Sequence, residues 1–104
     1  MKQRNGFVSN SSSSSFIVAA KKDIDENEYT FLNKTGTDNV LKFANEQQFD
    51  KEESESMINN ISKYNNDKWF FAMFNLSIHD TNSLTKLKNA ETAEEIVVIG
   101  YIDH

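Results

Sequence analysis

"KWFFAMFNLSI", residues 68–78, decides how the chain is read. Its two alternating sets are both apolar. Trp69, Phe71 and Met73 fall on one side, and Phe70, Ala72, Phe74 and Leu76 on the other. A strand with one wet face alternates apolar and polar residues; a strand covered on both faces does not. Residues 68–78 are therefore expected at the centre of a sheet with layers above and below.

Working outward, "FIVAA" at 16–20 predicts a short buried strand, ended by Lys21 and Lys22. "EEIVVIGYID" at 94–103 predicts another, with Gly100 marking a bulge or a close backbone approach. Between the first two lie helical patterns. In "DIDENEYTFLNKTG" an acidic start opens a short helical turn with Tyr29, Phe31 and Leu32 inward, and Gly36 ends it. Asp38 then caps a helix through about Gln47, with Val40, Leu41, Phe43 and Ala44 on its apolar face. Asp50 and Glu53 form a capping-box pattern before a helix to about Tyr64, whose face carries Met57, Ile58, Ile61 and Tyr64. Asp80 or Asn82 caps a short helix with Leu84, Leu87 and Ala90.

The expected order is β-α-α-β-α-β. It implies an α+β fold, one small domain over residues 1–104, with about three strands covered by two or three helices. Residues 1–15 form a Ser-rich N-terminal segment. A chain of 104 residues with eight Phe, three Tyr and one Trp has the material for a core, and that argues against disorder.

Composition excludes several chemistries. There is no cysteine, so disulfides, thiolate zinc sites and cysteine nucleophiles are out. The formal net charge is −5, with 11 basic and 16 acidic residues. Nucleic acid is not an expected partner, because nonspecific binders displace counterions with a basic surface. A local basic patch would have to come from Lys63, Lys68, Lys86 and Lys88. No apolar run reaches the roughly 18 residues that span a bilayer, and "MKQRNGF" has no apolar stretch behind it. A membrane is not an expected partner either.

Candidate sites fail on spacing. Asp23, Asp25 and Asn27 occupy the first, third and fifth positions of a calcium loop, but Glu28 stands where Gly is needed and Lys34 where the bidentate Glu belongs. A solvated acidic loop is the simpler reading. Ser77, His79 and Asp80 are the residue types of a hydrolytic triad, but neighbours leaving a strand do not normally reach that geometry. A polar strand end with Asp80 as a cap is the simpler reading. His79 and His104 are the two histidines, which argues against a histidine zinc site. The acidic "DKEESES" at 50–56 suits the positive end of a helix dipole. The run Trp69 to Phe74 suits core packing. The three glycines are too scattered for a phosphate loop, and no cofactor is expected.

One stretch remains. In "RNGFVSNSSSSSFIV", residues 4–18, five consecutive serines at 11–15 stand between Phe7-Val8 and Phe16-Ile17-Val18. A plain linker has no use for those flanks. Serine-rich backbone has low helix propensity and no apolar face, so a loop or an irregular edge is expected over the serines. The stretch resembles the shared opening of many small uncharacterised proteins encoded by tailed phages and prophages. The resemblance covers about fifteen residues and brings no catalytic or binding residues with it. It implies a phage accessory protein in the bacterial host cytoplasm.

Two roles for the stretch follow. Phe7 and Val8 pair beside the strand at 16–20, with the serines as the loop between; or Phe7, Val8, Ser11, Ser12, Ser13, Ser14 and Ser15 belong to a recognition segment read by a partner or modified on serine. The expected function is non-enzymatic: binding and modulating a host or phage protein. The alternative is a virion or assembly component that homo-oligomerises through the aromatic strand.

Overall fold

The structure is a computed structural model and describes residues 13–46 and 49–103. Phe7, Val8, Ser11, Ser12 and His104 lie outside the described residues. In chain order the elements are β1 (Ser13–Lys21), β2 (Lys34–Thr35), α1 (Thr37–Glu46), α2 (Lys51–Lys63), β3 (Trp69–Ser77), α3 (Thr81–Thr92) and β4 (Ile96–Asp103). The α+β class holds, with three helices and a four-stranded sheet of order β2-β3-β1-β4. Every neighbouring pair of strands is antiparallel.

The doubly apolar strand lies inside the sheet, between β2 and β1. Its two residue sets go to two separate cores. Phe71 joins Ile17, Ala19, Val40, Ala44, Met57, Ile61 and Ile99 in one cluster, with Trp69 and Met73 packed against it. Ala72, Phe74 and Leu76 join Val18, Ala20, Ile24, Tyr29, Leu87, Ala90 and Ile96 in the other. Helices α1 and α2 therefore cover one face, and α3 with the segment around Tyr29 covers the other. In β1 the same division places Ile17 and Ala19 on one side and Val18 and Ala20 on the other, all without solvent exposure.

Local chemistry sets the helix ends. Asp50 accepts from the Glu53 amide at 2.7 Å while the Glu53 carboxylate accepts from the Asp50 amide at 3.4 Å, closing the capping box of α2. Asp80 caps α3 by accepting from the Ser83 amide at 3.2 Å. Helix α1 departs from expectation: it begins at Thr37, so Asp38 lies in its first turn, favourable to the dipole, rather than at the cap. Its first turn is held by the Gly36 carbonyl, which accepts from the Asn39 and Val40 amides.

Three further differences have physical causes. Strand β2 has only two residues, too few for any periodicity to show. Residues 26–31 are turns and not a helix, built on amide bonds from Glu28 to Asp25 and from Tyr29 to Glu26. The inward direction expected for Tyr29, Phe31 and Leu32 is nevertheless observed. The third concerns the serines. Strand β1 begins at Ser13, so the last three serines are strand and not loop. Ser13, Ser14 and Ser15 pair with Ser77, Leu76 and Asn75 of β3, and Ser14 and Ser15 also pair with Asp103 and Ile102 of β4. With a ladder on both sides, tertiary pairing overrides the weak strand preference of serine.

Candidate functional site at the end of the sheet

No polar or charged side chain is buried among the described residues. Polar side chains among the described residues lie at the surface or partly exposed. The place where the N-terminal motif enters the sheet combines two kinds of surface.

Residues directly opposite in an antiparallel pair share a face. Ser13 is opposite Ser77, and Ser15 is opposite Asn75. All four lie on the face to which Ile17 and Met73 belong, two residues further along each strand. Ser13 and Ser15 are half-buried; Asn75 and Ser77 are exposed. The Ser15 hydroxyl donates to the Asn75 side-chain oxygen across the strands. This face thus ends in a patch of small hydroxyls and one amide.

The opposite face of the same strand ends is aromatic. Phe16 of β1 stacks on Phe74 of β3 at 5.2 Å between ring centroids and on Tyr101 of β4 at 5.7 Å. Phe74 meets the edge of Phe31 at 5.1 Å, and Phe31 meets Tyr29 at 6.1 Å. The rings form a row from one side of the sheet to the other, and offset or edge-on rings at such separations attract beyond their buried area. At its outer end Tyr101 is 38% exposed, and just past β3 Ile78 is 51% exposed. The chemistry available is hydrogen bonding on one face and apolar contact on the other.

The other sequence candidates resolve individually. The Ser77 hydroxyl accepts from the backbone amide of His79 at 3.1 Å, and the Asp80 carboxylate is engaged as a helix cap. Those bonds make a strand-to-helix corner. In the acidic loop, Asp25 accepts from the Asn27 amide at 3.0 Å, a local turn. Lys34, at the position a calcium loop gives to Glu, forms an ion pair with Glu26 at 3.0 Å. Among the described residues no group of three or more His, Asp or Glu is arranged to hold a metal ion. Near this loop, Tyr29 is almost buried, and its phenol is pushed above the ordinary value, first by desolvation and then by the carboxylates of Glu28, Glu95 and Asp25.

Of the proposed recognition residues, Ser13, Ser14 and Ser15 are brought to this strand end. Sequence reasoning missed Asn75 and Ser77 as their neighbours, and Tyr101 as the neighbour of Phe16. The signal was the polar-apolar alternation at the end of residues 68–78, where Asn75 and Ser77 interrupt one side of an otherwise apolar strand. Among the described residues no helix is long and apolar enough to cross a membrane. Compared with family models, curated proteins and solved structures, the chain matches none.

Proposed function

We propose that the chain is a non-enzymatic accessory protein of a tailed phage, acting in the bacterial host cytoplasm by binding and modulating a host or phage protein. The phage setting rests on the resemblance of residues 4–18. The observation that carries the binding role is the double use of the serine run. Residues 13–15 are built into the sheet, and their strand end presents a hydroxyl-amide patch backed by a row of aromatic rings. A segment with only a spacer role needs neither.

Homo-oligomerisation through the aromatic strand has less support. Phe71 and Phe74 are 4% and 6% exposed, so their rings are used in packing within the chain.

The test is capture from phage-infected host lysate on the immobilised full chain. The comparison is a chain carrying Asn75→Arg and Ser77→Arg, two exposed positions at the patch. The reading expects one protein held in near-stoichiometric amount by the native chain and lost by the variant, with both chains melting at similar temperatures. Capture of nothing, or equal capture by both, contradicts it.

A further inference from the structure

Strand β4 is the outermost strand on its side of the sheet, and among the described residues it pairs only with β1. Its first half, "IVVIG" at 96–100, contains no charge and no proline. Natural sheets usually blunt an open edge with lysine, proline or a cover, because unpaired amides and carbonyls are a template for another strand. The register shift between Ile17 and Val18 leaves Ile99 unpaired with β1 as the bulged residue, so residues 96–98 are the regular part of the edge.

Two acidic recesses lie along that part, one near each end. On the α2 side, Ile99 and Met57 line a recess with Asp50, Glu52 and Glu53. At the start of the strand, beside the C-terminal cap of α2, Ile96 and Val97 line a second recess with Tyr64, Trp69, Glu91 and Glu94, into which Lys21 brings one positive charge. Glu95 is exposed directly before the strand. The apolar floor of each recess suits a side chain, and the carboxylates select for charge. A second copy would bring like-charged rims together, each on a chain of net charge −5.

We propose that the outer edge of residues 96–98 accepts an extended strand from the partner protein, with alternating apolar residues bracketed by lysine or arginine. This rests on the reading above, that the partner is a protein, and names its chemistry. Backbone hydrogen bonds add the strand to the sheet. The two recesses take alternate side chains, and the basic residues meet Glu52 near one end and Glu91 and Glu95 near the other.

The probe is a fluorescein-labelled peptide, KKVTVTVKK, titrated into the full chain, with EEVTVTVEE and KKVTPTVKK as controls. The proposal expects saturable binding of the first, weakening about tenfold or more as salt rises from low to physiological strength, since rim charges are screened. It expects little binding of either control, and backbone amide shifts concentrated at residues 96–98. Glu52→Lys combined with Glu95→Lys, both at exposed positions, should reverse the preference toward EEVTVTVEE. Equal binding of the proline peptide, or shifts centred elsewhere, would overturn it. So would a dimer in sedimentation that Val97→Lys dissociates, or peptide binding that requires removal of residues 1–12; these assign the edge to a second copy or to the chain's own N-terminus. If the peptide fails while the infected-lysate capture retains its protein, the edge assignment alone falls. If both fail, the binding role falls too.

Discussion

Gly100 of β4 lies directly beneath Met57 of α2: a Cβ added at Gly100 would overlap the Met57 sulfur. The glycine that interrupts an apolar strand is therefore where the Met57 side chain of α2 comes close to the sheet, and the bulge beside it bends β4 there. Met57 is 4% exposed, and its side chain must shift to admit that Cβ. Gly100→Ala should destabilise the protein by about 1 kcal/mol, the low end of the cost of overpacking, because the flexible Met57 side chain can yield. Met57→Ala should cost about 2–5 kcal/mol through its cavity. The double variant should lose clearly less than the sum, because the two changes relieve each other. Denaturant titrations of the four proteins check this; strict additivity would show that the contact is not felt.

Phe71 stands at the middle of β3, in the cluster under α1 and α2. Phe71→Ala should cost about 3–5 kcal/mol. A melting temperature close to that of the native chain would mean this face of the strand is not core.

Glu94 has φ of 63°, the left-handed region. It follows the end of α3, where the Glu94 amide donates to the Glu91 carbonyl and the Glu95 amide to the Ala90 carbonyl. Those two bonds are the Schellman pattern, whose left-handed position favours glycine. A side chain there costs about 1–2 kcal/mol, offset in part by the extra freedom that glycine has when unfolded. Glu94→Gly should therefore stabilise the chain, by about 0.5–1 kcal/mol on balance. Loss of stability would argue that the turn does not hold this conformation.

Tyr29 gives a pH dependence with a definite sign. Its folded phenol keeps its proton to higher pH than the unfolded phenol, whose ordinary value is 10.0. Its contribution to stability is then fully present below that value and is lost as pH rises through the raised folded value. Melts between neutral and strongly alkaline pH should show stability falling at the alkaline end, and Tyr29→Phe should flatten the fall. An unchanged slope in the variant would assign the alkaline loss to other groups.

The sheet and its two-sided cover were legible because residues 68–78 leave no polar face, and a strand of that kind needs layers on both sides. The capping box at Asp50 and Glu53 was legible because it is a contact between residues three apart. Gly100 was legible as an anomaly, but its partner was not, since Met57 reaches it only through tertiary packing. The serines were misread over residues 13–15 for the same reason. Their local preference is for loops, and only the ladders to β3 and β4 make them strand. The patch they form needs Asn75 and Ser77, 60 or more residues away in the chain, and no spacing rule connects them.

The central claim is that residues 13–18 of the N-terminal motif are part of the fold and not an appendage to it. Amide hydrogen exchange at Ser14, Ser15 and Phe16, measured on the full chain, tests this most directly. Paired on both sides, these amides should be protected and should open together with those of Ile17 and Val18, as one cooperative unit. Exchange of Ser14 and Ser15 at the rate of an unstructured peptide, with protection starting only at Ile17, would contradict the account and return the serines to the role of a tag.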